Sequence, residues 1–174
     1  MADLNERDEK LIQYLSEAYG KERELETALE AHIAMTTKAP YKKRLKQHLK
    51  ETKSHAKQVE RRIKKLGGGG QKVQTAVGKT MAAAKGPLHM VRGSGEQEKM
   101  LKNAKTEYFN EHEEIATYLG IETLATKVGD KETAKLAKGI RREEERMAKF
   151  LTTQIQSLSN AVATEDIPAA QRKR

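Results

Sequence analysis

The chain has 174 residues, a length that fits one domain, and a formal net charge of +9 at pH 7. Charged residues make up 34% of it and aromatic residues 4%, with no Trp. A core of Leu, Ile, Val, Ala and Met suits helices packed on helices, because sheets favour β-branched and aromatic residues. The absence of Cys excludes disulfides, thiolate zinc sites and cysteine nucleophiles.

The apolar runs of the chain are short. None approaches the roughly 20 residues that a helix needs to span a bilayer. The first segment, Met-Ala-Asp-Leu-Asn-Glu-Arg-Asp, is too polar for a signal peptide. We therefore expect a cytoplasmic protein that does not interact with membranes.

Helical periodicity predicts two long helices in the first half of the chain. They cover about residues 8–36 and about residues 41–66. Pro40 separates them, because Pro lacks an amide hydrogen and restricts the residue before it. The four glycines at 67–70 end the second helix. The short connection around Pro40 predicts an antiparallel hairpin.

A second hairpin is predicted in the other half of the chain. Its helices cover about residues 97–127 and about residues 131–158. The tripeptide Val-Gly-Asp at 128–130 forms a tight turn between them, and Asp130 can cap the helix that follows.

The connection between the two hairpins is long and covers about residues 67–97. A short amphipathic helix is predicted within it from the spacing of Val73, Val77, Met81 and Ala84. Two short loops and one long crossover are typical of ferritin-like connectivity. We therefore predict an all-α fold, a ferritin-like four-helix bundle of two antiparallel hairpins joined by this crossover. Residues 1–159 form the single bundle domain, and residues 160–174 are expected to be a disordered basic tail.

Charge is unevenly distributed between the first two helices. Residues 1–36 carry nine acids and four bases, whereas residues 41–65 carry eleven bases and two acids. The simpler interpretation is that two oppositely charged helices pair as a hairpin. The alternative is a basic face that meets nucleic acid or anionic lipid. No RGG tract, stacking aromatic pair or zinc knuckle in the sequence supports that alternative.

Acidic residues inside the apolar stripes are the candidates for a functional site, because burying an unpaired carboxylate is costly. At about 100° per residue, Glu22 falls at the centre of the apolar face of the first helix. Glu111 lies inside the stripe of the third helix, and Glu114 lies at its edge. In the fourth helix Glu143 and Glu144 flank the stripe, and periodicity alone does not choose between them.

The second helix presents His48, Glu51 and His55 on one face, at steps of three and four. The sequence leaves open which of the two histidines is the metal ligand. Each helix thus offers a carboxylate near its middle, and antiparallel packing brings the middles to one level. Carboxylates gathered in a space of low dielectric constant repel each other unless cations lie among them.

Two divalent cations bridged by Glu and capped by His would relieve this repulsion, as in the carboxylate two-metal bundles. The predicted ligands are Glu22, Glu51, His55, Glu111, Glu114 and Glu144. Oxygen ligands with few imidazoles favour iron, with manganese or zinc as alternatives. For any single inward Glu, a neighbouring Lys or Tyr is an alternative partner.

Four short segments carry a family pattern: Tyr-Gly-Lys-Glu-Arg-Glu-Leu at 19–25, His-Leu-Lys-Glu-Thr at 48–52, Glu-His-Glu-Glu-Ile-Ala-Thr-Tyr at 111–118 and Glu-Glu-Glu at 143–145. Together they resemble the YciE/YciF-type ferritin-like bacterial stress proteins. The resemblance spans about residues 10–158. It implies a ferritin-like bundle, usually dimeric, with a carboxylate two-metal site. Carried over by position, it supports Glu22, Glu51, Glu111, Glu114 and Glu144.

Two positions depart from the ferritin pattern. His55 follows Glu51 by four residues instead of three, and Met147 stands where a histidine would follow Glu144. The function predicted is a di-iron site that oxidises iron or handles peroxide in stress protection, in a homodimer. The alternatives are a non-enzymatic basic bundle that binds nucleic acid and a structural stress protein.

Overall fold

The computed structural model describes residues 5–69 and 95–172 as four α-helices and one 3-10 turn. The helices are α1 (Glu6–Met35), α2 (Ala39–Lys65), α3 (Glu96–Lys127) and α4 (Lys131–Asp166), and the turn is Ala169–Gln171. No strand occurs in these two ranges. The predicted all-α four-helix bundle is confirmed. The short helix predicted around Val73 to Ala84 lies outside the described residues.

Local signals explain the ends of the first hairpin's helices. Asn5 caps α1, because its side chain accepts a hydrogen bond from the backbone N–H of Asp8 at 2.9 Å. Pro40 lies inside the first turn of α2, where a missing N–H leaves no helical hydrogen bond unmade. Gly67 ends α2 with a φ of 88°, a left-handed conformation that favours glycine.

The turn between α3 and α4 is fastened to α2 through Asp130. Its carboxylate caps α4 by accepting the backbone N–H of Thr133 at 3.0 Å. It also accepts two hydrogen bonds from Nη2 of Arg62 on α2, at 2.8 and 2.6 Å. The capping role predicted for Asp130 is confirmed, and the same side chain ties the second hairpin to the first.

The fourth helix is longer than the sequence predicted. It continues to Asp166 instead of ending near Leu158, so residues 160–166, assigned to the tail, are helical. Neither Gly nor Pro occurs between Leu158 and Asp166, and Leu158 is fully buried. Pro168, two residues beyond the helix, is the first residue that cannot continue it.

Two apolar clusters, one toward each end of the bundle, form the core. Each fully buried Leu or Ile contributes about 1.5–3 kcal/mol to stability. The first cluster contains Leu11, Leu15, Val59, Ile63, Tyr118, Ile121 and Ile140. The second contains Leu29, Tyr41, Leu45, Met100, Met147, Leu151 and Leu158. Because each cluster draws on all four helices, the middle of every helix is held at one level between them.

Replacing Asp130 by Ala should destabilise the bundle. The change removes the α4 cap and leaves the half-buried Arg62 without its buried carboxylate partner, so the free energy of unfolding should fall by about 2 kcal/mol. Chemical denaturation followed by circular dichroism measures this. Glu132→Ala is the matched control, because Glu132 also contacts Arg62 at 2.5 Å but its side chain is 68% exposed. Equal losses for the two variants would contradict the role of Asp130.

Candidate metal centre

Six ionisable side chains from all four helices converge between the two apolar clusters, and we refer to them as the ionisable layer. None is more than 2% exposed. They are Glu22 on α1, His48 and His55 on α2, Glu111 and Glu114 on α3, and Glu144 on α4. The layer lies at mid-length because both hairpins are antiparallel and the two apolar clusters occupy the ends.

The layer contains two groups of three side chains that share one carboxylate. Glu22, His55 and Glu144 form the first group, in which His55 Nδ1 lies 2.9 Å from Glu144 Oε1 and 3.6 Å from Glu22 Oε1. His48, Glu111 and Glu144 form the second. There His48 Nε2 lies 2.9 Å from Glu111 Oε1 and 3.7 Å from Glu144 Oε2.

Each group is small enough to hold a metal ion. Within a group, one ligand atom per residue lies within 4.8 Å of the others. Glu144 gives Oε1 to the first group and Oε2 to the second, so its carboxylate lies between them. This arrangement matches a pair of adjacent cation sites bridged by one carboxylate.

Many oxygens of the layer are buried without a hydrogen-bond partner. Among the described residues these include one oxygen each of Glu22 and Glu111 and both oxygens of Glu114 and Glu144. A buried carboxylate oxygen without a donor is costly, and native proteins rarely retain it without a reason. These oxygens fit divalent cations, which bind carboxylate and imidazole ligands together.

Both histidines use their second ring nitrogen outside the layer. His48 Nδ1 lies 3.2 Å from Glu51 Oε2, and His55 Nε2 lies 2.8 Å from Glu143 Oε2. Metal-binding histidines ordinarily have such a carboxylate behind them, which fixes the orientation of the ring and the position of its proton. Each ring is therefore aligned with one nitrogen toward the layer and one toward the periphery.

Three of the four carboxylates of the layer, those of Glu22, Glu111 and Glu114, have raised pKa values and so favour their protonated forms. Burial raises the pKa of Glu22 to about 8, against the opposing charge of His55, and raises that of Glu111 to about 8 in the same way against His48. Burial also raises the pKa of Glu114, and the charges of Glu22, Glu144 and Glu111 raise it further. Glu114 therefore lies within electrostatic reach of the other three carboxylates.

Glu144 and the histidines behave oppositely. Burial raises the pKa of Glu144, but close contact with His55 and the charge of His48 outweigh burial and hold the pKa below its ordinary value. Burial lowers the pKa of His55, but Glu144 and Glu22 raise it to about 9. Burial likewise lowers the pKa of His48, but the charge of Glu111 and its hydrogen bond outweigh burial, so the pKa of His48 lies well above its ordinary value. Protons thus supply the positive charge around the central carboxylate.

Five of the six predicted ligands lie in the ionisable layer, and Glu51 does not. Its carboxylate is 21% exposed and accepts hydrogen bonds from Arg44 Nη1 and Gln47 Nε2, both at 2.9 Å. Glu51 lies on the flank of α2, where these two side chains reach it, and it contacts the layer only through His48. The hydrogen bond from His48, opposed by partial burial and aided by Arg44, lowers the pKa of Glu51 to about 2.

The structure gives the positions of the residues among which the sequence did not choose. His48 and His55 both enter the layer, one into each group. Glu144 lies in the layer, whereas the side chain of Glu143 is 37% exposed and meets His55 from outside.

A second buried ionisable pair lies beside the layer and was not predicted. His32 Nδ1 contacts Glu107 Oε1, and both side chains are buried. Burial raises the pKa of the Tyr41 hydroxyl, and the charges of Glu107 and Glu111 raise it further, so the pair adjoins the layer. The available signal was the spacing of Glu107, four residues before Glu111 on the same face of α3.

Fold and site together define an all-α four-helix bundle with a buried cluster of carboxylates and imidazoles at its centre. Residues 6–164 match the family described as a domain of unknown function, DUF892. The match covers most of the chain, and the chain belongs to that family. No curated protein matches the chain.

Three solved structures share the fold. A protein from Xanthomonas campestris is 24% identical, with a TM-score of 0.74 over 93% of this chain and 99% of that one. YcfI from Rhodopseudomonas palustris is 20% identical, with a TM-score of 0.68 over 87% and 96%. The Escherichia coli stress protein YciF is 23% identical, with a TM-score of 0.68 over 92% and 99%. With the family match, these confirm the YciF-type family that the sequence predicted.

We expect the stability of the protein in chelator to fall as pH rises from about 6 to about 9. The folded-state pKa values of Glu22, Glu111 and His55 are raised, so the folded chain binds more protons than the unfolded chain in this range. The stability that such a group contributes is complete at pH values below its pKa in the unfolded chain, and it is lost as the pH rises through its pKa in the folded chain. Thermal melting against pH measures the effect.

The control for this pH dependence is the double variant Glu22→Gln plus Glu111→Gln. Its amides do not titrate, so its melting temperature should vary less with pH over the same range. A melting temperature of the unaltered protein that rises between these pH values would contradict the raised pKa values.

Proposed function

We propose that the chain binds two divalent metal ions in the ionisable layer. Glu22 and His55 would hold one ion, His48 and Glu111 the other, and Glu144 would bridge the two. Glu114 would complete the set, since both its oxygens are buried without a hydrogen bond. The observation that carries the proposal is the shared position of Glu144 between two groups of converging ligands.

Iron(II) is the ion that we expect. Four carboxylates and two imidazoles form a mostly hard ligand set that suits iron or manganese and disfavours copper. Zinc fits the same residues, but it has no redox chemistry. The proposed function, oxidation of iron or handling of peroxide during stress, requires a metal that can lose an electron.

Two iron(II) ions held in the layer as substrate would supply two electrons, enough to reduce one hydrogen peroxide to two waters with uptake of two protons. The chain's own residues would hold, orient and shield the two ions. The Tyr118 hydroxyl donates to Glu22 Oε1 at 2.5 Å, which leaves Oε2 without a protein partner. Glu51 and Glu143 orient the two imidazoles from behind. The apolar clusters on both sides exclude water from the layer.

An anaerobic iron(II) titration tests the proposal. The unaltered protein should bind about two ions per chain, as carboxylate two-metal bundles do. The double variant Glu22→Ala plus Glu111→Ala should lose saturable binding. Its matched control changes Glu17 and Glu113, exposed carboxylates on the same two helices, to Ala. Absence of saturable binding in the unaltered protein, with melting indifferent to metal and chelator, would instead support a structural bundle.

Oxidation is tested separately from binding. After loading with iron(II), formation of iron(III) on addition of peroxide or oxygen should be faster than in buffer. Manganese and zinc serve as parallel loading arms. If saturable binding occurs without faster oxidation, metal binding stands and the redox function is wrong.

The variants Glu144→Gln and Glu51→Gln should have different effects on metal binding. Glu144→Gln removes the bridging charge and should eliminate both bound ions. Glu51→Gln changes only the group behind His48, so it should keep the stoichiometry and weaken affinity by roughly 10- to 100-fold. Elemental analysis and titration distinguish the two outcomes. Loss of an ion in Glu51→Gln would restore Glu51 as a ligand.

The homodimer and the cytoplasmic location stay predictions. Among the described residues, no helix is both long and apolar enough to cross a membrane. Phe109 and Leu119 on α3 are 70% and 50% exposed, and a second copy of the chain would have these apolar side chains to cover.

A further inference from the structure

The outward face of α2 carries a line of basic residues, which we call the basic stripe. All six of its members are exposed. At about 100° per residue they fall within an arc of about 100°, opposite the buried face of the helix. They are Lys43, Lys46, Lys50, Lys57, Arg61 and Lys65.

The basic stripe has no protein counter-charge within residues 5–69 and 95–172. The cations of α2 that do form ion pairs are outside the stripe: Arg44 pairs with Glu51, Lys53 with Glu30, Arg62 with Asp130 and Lys64 with Glu60. None of the six stripe residues makes an ion pair with a described residue. Both acids of α2, Glu51 and Glu60, are already engaged, so hairpin pairing does not neutralise the stripe.

The stripe is also rigidly spaced. From Lys43 to Lys65 it spans 22 residues of uninterrupted helix, which is about 33 Å at 1.5 Å per residue. One turn of duplex DNA is about 34 Å long and carries a phosphate charge about every 1.7 Å along its axis. The fixed row of cations therefore has about the length of one duplex turn along the DNA axis and carries the charge opposite to that of the phosphates.

Other polyanions fit the stripe less well. An anionic membrane favours a helix whose apolar face can enter the lipid, but the apolar face of α2 is buried in the core. A single strand favours aromatic side chains on which bases stack, and the stripe contains none. Only phosphate contacts are available, which position a duplex without reading its sequence.

We propose that the basic stripe of α2 binds the phosphate backbone of duplex DNA without sequence preference. This binding is separate from the metal centre, because the stripe and the ionisable layer occupy opposite faces of α2. The conjunction that carries the proposal is a row of exposed, unpaired cations of duplex length on a helix whose other face is anchored in the core.

Fluorescence anisotropy with two unrelated 20-base-pair duplexes tests the proposal. Both should bind alike, and with about five phosphate contacts the logarithm of affinity should fall with that of salt at a slope of about −4 to −5. The triple variant Lys43→Ala, Lys50→Ala and Lys57→Ala should reduce that slope by about three and weaken binding at least about tenfold at low salt. Ala is a strong helix former, so α2 should stay intact, as circular dichroism would verify.

The matched control is Lys99→Ala, Lys105→Ala and Lys127→Ala, which removes the same charge from exposed positions on α3. α3 packs mainly against α1 and α4, and its exposed lysines are not part of the basic stripe, so this variant should bind almost as the unaltered protein does. Equal losses in both triple variants would overturn the proposal, because bulk charge would then explain binding. It would also be overturned by absence of duplex binding at low salt, by tighter binding to a single strand, or by binding only to vesicles of anionic lipid.

Discussion

The burial of six ionisable side chains between two apolar clusters is the constraint on which the structure depends. The apolar clusters hold the four helices at both ends, so the side chains at mid-length cannot move out to water without breaking the core. Carboxylates held in this way need positive charge nearby. In the chain alone that charge comes from His48, His55 and retained protons, and divalent cations would supply it more completely.

Glu144 has a different role from the other carboxylates of the layer. It faces both groups, and its pKa is held low while those of Glu22, Glu111 and Glu114 are raised. The layer is therefore organised as one ionised hub with more easily protonated groups around it. Since those groups lose protons when a cation arrives, binding should become stronger as pH rises, even as the unloaded bundle becomes less stable.

Directions around a helix were predictable from the sequence, whereas distances between helices were not. Steps of three and four placed Glu22 and Glu111 at the interior because the helical period needs no tertiary information, but they did not choose between Glu143 and Glu144. The same construction could not separate Glu51 from His48, which share one flank of α2. Glu51 stays at the surface because Arg44 and Gln47 donate hydrogen bonds to its carboxylate there. Ala161 and its neighbours were assigned to the tail, although neither Gly nor Pro occurs between Leu158 and Pro168.

α2 is both the most basic helix and the one that supplies both imidazoles of the layer, because its inward and outward faces carry different residues. Its inward face carries His48 and His55, and its outward face carries the basic stripe. Electrostatic interactions differ in strength on the two faces. They are strong in the interior, where the dielectric constant is low, whereas solvent and salt screen the charges of the stripe beyond about 10 Å. Substitutions on the stripe should therefore alter contacts with polyanions while leaving the geometry of the layer intact, because the apolar clusters, and not the surface charges, hold α2 in place.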